Sequence, residues 1–170
     1  GMTDENGQPL YLHRLAETQP RAWLASEVVV EPDAERLWQR LADESFDLSQ
    51  QVLLPAAPPE MDDPVDQTGS GNSISWRTRD PEHLALDVTS QTPAVLVLSE
   101  LSYPGWRATV DGRAAPLLNA DGMLRAVALE AGSHQVEMRF RPASVSIGLA
   151  ISAITLLLVL VGLILTRRHR

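Results

Sequence analysis

The apolar positions of this chain fall into three regimes. From residue 73 to residue 142 they alternate with polar positions at the period of two expected of strands that bury one face. Leu84, Leu86 and Val88 share one face, Trp106, Ala108 and Val110 another, and Val136, Met138 and Phe140 a third, with Glu137 and Arg139 turned away. Val95 to Leu98 is apolar at every position, which marks a central strand covered on both faces. Asp111-Gly112 and Asp121-Gly122 can take the positive φ at both centres of a two-residue hairpin turn, and Ala131-Gly132 suggests a third such turn. Short strands with repeated turns of this kind predict a mainly β domain, an antiparallel sandwich or jelly roll.

The second regime, ahead of residue 73, is mixed. Tyr11 to Leu15 and Arg21 to Val30 read as strands, the latter ending in the β-branched run Val28-Val29-Val30. Pro32 and Asp33 then open a short helix to about Glu44, with Ala34, Leu37, Trp38 and Leu41 on one stripe. Gln51 to Leu54 reads as another strand. Residues 55–72 shift to Pro, Asp, Gly and Ser, a composition that buries no core and reads as an exposed loop.

The third regime is the end of the chain. Ile147 to Leu165 runs uncharged for 19 residues, enough to cross ~30 Å of hydrocarbon at about 1.5 Å per residue. Ser152 and Thr155 are too few to make the polar face of a soluble helix, so this is a transmembrane helix. Gly148 and Ser152, with Ser144 one turn earlier and Thr155 near the same side, form a small-residue stripe that suits close packing against other transmembrane helices. The resulting organisation is a tag scar (Gly1-Met2) with a flexible N-terminus over 1–9, a β-sandwich over 10–142, a transmembrane helix over 143–166 and a basic tail over 167–170.

Charge adds direction to this layout. The chain carries 22 acidic residues, all before Ala143, against 14 arginines and no lysine, for a net charge of −8. An acidic body without lysine is a poor partner for nucleic acid. Arg167, Arg168 and Arg170, with His169, read as a membrane anchor on the cytoplasmic side, which puts the sandwich outside, although Arg139 and Arg141 at the other end keep the bias mild. Without cysteine there is no disulfide framework, thiolate metal site or cysteine nucleophile.

Little else in the sequence points to chemistry. Glu60, Asp62, Asp63 and Asp66 lack the glycine and terminal glutamate of a calcium loop and read as a solvated linker. His13, His83 and His134 are too scattered for a metal or triad pattern, and there is no phosphate-cradling loop or nucleophile elbow. No catalytic residue, metal or cofactor is expected. Tyr103, Trp106, Trp76 and Trp23 offer a platform on which a sugar ring could stack. Trp106 is in phase with Ala108 and Val110, which favours core packing, whereas Tyr103 stands at the Pro104-Gly105 bend and is the more exposed candidate for carbohydrate contact.

Tyr103-Pro104-Gly105-Trp106, Val110-Asp111-Gly112, Ala131-Gly132-Ser133-His134-Gln135-Val136 and Phe140-Arg141-Pro142, followed by a final apolar helix, resemble the C-terminal end of the YfhO family. Pro20-Arg21-Ala22-Trp23-Leu24, Glu27-Val28-Val29-Val30, Phe46-Asp47 and Gln51-Val52-Leu53-Leu54 resemble the segment upstream of it. The resemblance implies the outer domain and last span of a multi-spanning bacterial membrane protein related to glycosyltransferases that use polyprenyl-phosphate sugars. Partners implied are the lipid bilayer, other transmembrane helices of a larger parent, and a glycan or polyprenyl-linked sugar. The catalytic region of such proteins lies far upstream, so no catalytic residue carries over. Residues 3 to 20 hold no apolar leader, which together with the resemblance suggests a fragment of a longer protein. The competing readings are a self-contained membrane-anchored carbohydrate-binding or adhesion module and a hydrolase built on the same sandwich.

Overall fold

Alternation becomes a two-sheet sandwich in the computed structural model, which describes residues 2–3, 9–10, 20–43, 45–58 and 71–168. The expected strand Tyr11 to Leu15, the acidic cluster of Glu60 to Asp66 and the last two tail residues lie outside the described residues. The chain begins with β1 (Met2–Thr3) paired to β2 (Pro9–Leu10). It continues through β3 (Ala22–Ala25), β4 (Glu27–Val30), α1 (Ala34–Leu41) and β5 (Gln51–Leu54). The sandwich strands follow: β6 (Ser73–Asp80), β7 (His83–Ser90), β8 (Ala94–Leu101), β9 (Trp106–Val110) and β10 (Arg113–Ala115). After β11 (Leu118–Ala120), β12 (Leu124–Leu129) and β13 (Gly132–Phe140) comes the long helix α2 (Ala143–Arg168).

One sheet has the order β10-β9-β13-β7-β6 and the other β11-β12-β8-β3, both antiparallel. The predicted faces meet between them. Leu84, Leu86, Val88, Trp106, Ala108, Val136 and Met138 of the larger sheet pack on Ala22, Leu96, Leu98, Val127 and Leu129 of the smaller. Val95 and Val97 point the other way, into a second core with Trp23, Ala25, Val52, Leu54, Ala120 and Ala126. That second core explains why β8 is apolar on both faces: it is the middle layer of three.

The outer layer departs from the expected single strand over Arg21 to Val30. The chain leaves the smaller sheet at Ser26, whose N–H bonds the Gln50 carbonyl at 2.8 Å. Then β4 pairs with β5, and this pair is parallel, Val28 opposite Val52, unlike the antiparallel strands of the sandwich itself. Helix α1 begins one residue after Asp33, whose side chain accepts from Arg36 N–H at 2.9 Å. It ends at Leu41, short of Glu44. Leu37 of the expected stripe is buried, while Trp38 remains half exposed.

The turns also divide. Asp111-Gly112 is the expected two-residue turn, with φ of 51° and 77°, between Val110 and Arg113. Asp121-Gly122 has nearly the same φ values, 50° and 76°, but Met123 extends its loop to three residues between Ala120 and Leu124. Ala131-Gly132 is not a hairpin. It carries the chain from β12 in one sheet to β13 in the other, so the turn residues marked a change of direction and not a pairing. α2 stands clear of the sandwich, with none of the described side chains from Ala143 to Leu160 buried. At 26 residues it is about 39 Å long.

Candidate functional site

The β8–β9 turn, the β6–β7 turn and the root of α2 form one junction. Phe140 ends β13 opposite Trp106, which begins β9. Its N–H bonds the Glu82 carbonyl at 2.9 Å, and the next residue, Arg141, gives its N–H to the Gly105 carbonyl at 2.6 Å. Gly105 has φ of 115°, and a Cβ there would stand 2.6 Å from the Phe140 ring and 3.2 Å from Pro142 Cα, so only glycine lets the turn approach so closely. Tyr103 meets Phe140 edge-on at 5.3 Å and Trp106 at 6.3 Å between ring centres. Trp106 is buried and Tyr103 is 47% exposed. Of the other expected platform residues, Trp23 is buried in the second core and Trp76 is partly buried under Arg21 and Arg79.

Beneath this junction lies a residue that the sequence reading passed over. Arg125 is buried, with its guanidinium 3.7 Å from the Trp106 ring centre and paired to Glu100, which also pairs with Arg21. Among the described residues its Nε and Nη1 find no hydrogen-bond partner, nor does the buried Trp106 Nε1. Burial holds the Arg125 pKa below its ordinary value, and the Glu100 carboxylate opposes that shift. A signal for it exists in the sequence: Arg125 is in phase with the core residues Val127 and Leu129, so alternation aims its charge inward.

At the opposite end a cleft of about 440 Å³ is lined by Arg113, Ala115, Pro116, Glu130 and His134, among others. His134 Nδ1 lies 2.8 Å from Asp111 Oδ2 and Nε2 lies 3.1 Å from the Glu130 carbonyl. Asp111 Oδ1 accepts the Gln135 N–H at 2.7 Å, and this bond, with the His134 contact, holds the Asp111 carboxyl below the usual carboxylate range. The pair fastens the β9–β10 turn to β13. No described nucleophile is bonded to it, and among the described residues no group of His, Asp or Glu is arranged to hold a metal.

Gly148 and Ser152 lie on α2, and a Cβ added at Gly148 meets open space. Thr155 Oγ1 donates to the Ile151 carbonyl at 2.9 Å, so its hydroxyl proton is satisfied within the helix. Arg167 and Arg168 fall within the last turn of α2, two residues beyond the expected end of the span, and Arg170 lies outside the described residues.

A β-sandwich whose last strand runs, through two residues, into a helix long and apolar enough to cross a membrane defines a membrane-anchored β domain. Residues 67–152 match the family described as bacterial membrane protein YfhO, just over half of the chain, and the chain belongs to that family. No curated protein and no solved structure matches it.

Proposed function

We propose that this chain supplies the extracytoplasmic sandwich and last span of a multi-spanning, glycosyltransferase-like membrane protein, and that the sandwich is a non-catalytic support for transfer of lipid-linked sugar or cell-wall polymer. The observation that carries this reading is the junction. The family match runs from residue 67 through the sandwich and past the start of α2 to residue 152, and the Gly105–Arg141 bond ties the two together. A domain fixed so closely to its span suits a part that holds its position beside a membrane core, more than an adhesion module on a free tether. The basic end of α2 supports an outward-facing sandwich. Tyr103 is the exposed member of the aromatic set, and a glycan carried on a membrane lipid would meet it at this end.

Sidedness is tested by single cysteines in a chain that has none of its own. In intact bacteria making the full-length parent, Ser133→Cys should react with a membrane-impermeant maleimide, and His169→Cys should react only after permeabilisation. The reverse labelling would put the sandwich in the cytoplasm and remove this reading.

A further inference from the structure

We propose that the end of the sandwich bearing Leu101, Tyr103 and Met123 lies in the headgroup layer of the bilayer that α2 crosses, as a second, non-covalent attachment to the membrane. The inference rests on α2 crossing the bilayer, and it does not depend on which side the sandwich occupies. These three side chains are 59%, 47% and 43% exposed. Ser102 N–H bonds the Met123 carbonyl at 2.7 Å, so the β8–β9 and β11–β12 turns project them from one end of the molecule. At the opposite end the turn positions Gln91, Asp111, Gly112, Glu130 and Ala131 are exposed and carry no large apolar side chain.

The covalent geometry decides what this apolar end meets. Only Arg141 and Pro142 separate β13 from α2, and both are held: Arg141 by the Gly105 carbonyl, Pro142 by the Val145 N–H at 3.2 Å. If Ile147 to Leu165 fills the hydrocarbon, the four residues Ala143 to Ser146 lift the sandwich by only about 6 Å. A headgroup layer is on the order of 5–7 Å thick on each side, so the foot of the sandwich cannot clear it. The chemistry agrees with the position. A tyrosine ring places an apolar body and a polar hydroxyl across such a boundary, leucine and methionine reach into its apolar side, and the exposed Arg141 offers donors to lipid phosphate. The Gly105 close approach acquires a purpose here, since it draws the Tyr103 turn against the root of the span.

The test uses the full 170-residue chain in vesicles of phosphatidylcholine and phosphatidylglycerol, with one environment-sensitive nitrobenzoxadiazole label at a time. Labels are placed at Leu101→Cys, Tyr103→Cys and Met123→Cys, at Arg113→Cys on the far end, and at Leu157→Cys in the span. The first three should show blue-shifted emission that is lost when nitroxide is carried at the lipid headgroup. The Arg113→Cys label should show neither effect, and the Leu157→Cys label should be quenched by nitroxide deep in the acyl chains. Labels at the foot that stay as wet as the one at Arg113→Cys, with Leu157→Cys deeply quenched, would overturn the proposal and leave the span intact. A blue shift at the foot without lipid quenching would mean that protein, such as a second copy, covers the patch, and would also overturn it. An unquenched Leu157→Cys would remove the span and the proposal together.

Discussion

Trp106 and Tyr103 stand three positions apart, and their surroundings give them opposite roles. Trp106 is enclosed by Arg125 on one ring face and by Phe140 at 5.5 Å, in the core between the sheets. Removing its side chain leaves a void under the junction, so Trp106→Ala should cost about 3–5 kcal/mol by thermal melting in detergent micelles. Tyr103→Ala should leave the melting temperature nearly unchanged while weakening any contact made at the membrane end. A large loss at Tyr103 would make it core instead. Arg125 and Glu100 provide a second contrast, because the two partners are not equally replaceable. If Arg125 is removed, Glu100 still has Arg21 and its side chain is 20% exposed, whereas removing Glu100 leaves a buried cation whose Nε and Nη1 already lack hydrogen-bond partners among the described residues. Breaking a fully buried pair from one side costs roughly 3–5 kcal/mol. With Glu100 partly wet, Glu100→Ala should cost on the order of 2–3 kcal/mol and Arg125→Met less than about 1. Equal costs would show that the Trp106 contact, not the ion pair, holds Arg125 in place.

At the scale of elements, the two Asp-Gly turns have nearly the same backbone conformation but face different surroundings. Asp111 lies on the surface, and the Gln135 N–H and His134 favour its charged form, so its stabilisation is present at neutral pH and fades as pH falls through its lowered pKa. Asp121 is buried between β11 and β5. It accepts from Leu53 N–H at 2.9 Å, its own N–H reaches the Leu53 carbonyl at 2.8 Å, and among the described residues its Oδ2 has no hydrogen-bond partner. Burial raises its pKa, so its charged form burdens the fold at neutral pH and the burden lifts as pH falls toward the usual carboxylate range of about 3.9. Asparagine tolerates the same positive φ and keeps the acceptor for Leu53. Asp121→Asn should therefore raise the melting temperature at pH 7, with the gain disappearing near pH 4 (about the ordinary pKa). Asp111→Asn should lower it at pH 7 and lose its effect in acid. The same pair marks how far the sequence could be read. Positive φ at Asp-Gly follows from the residues themselves, but burial of Asp121 depends on β5 and on Leu37 and Trp38, which lie 3.1 and 3.2 Å from where a Gly122 Cβ would be. Nothing local to the turn announces them. The parallel β4–β5 pair was hidden for a related reason: four-residue strands carry too little alternation to show direction or partner.

For the whole molecule, the two-sheet core and the apolar helix were legible because each rests on a single long periodic or unbroken pattern. The foot formed by Leu101, Tyr103 and Met123 was not, since it exists only once two turns distant in sequence come together. What the rest of the membrane does for α2 is open to experiment through its small-residue stripe. Lipid is as apolar as leucine, so replacing Gly148 or Ser152 changes little for a helix that only faces lipid, and the open space around Gly148 means that a larger side chain meets no clash in this chain. A helix docked on neighbouring spans would lose close backbone contact from the same change. Gly148→Leu with Ser152→Leu should therefore leave helix content and insertion of the 170-residue chain unaltered. In the full-length parent the pair should reduce resistance to protease and recovery of folded protein, while Leu157→Val with Val159→Leu on exposed aliphatic positions should not. If both pairs are tolerated equally in the parent, α2 is a tether whose only partner is lipid, and the proposal that it closes a bundle of spans falls.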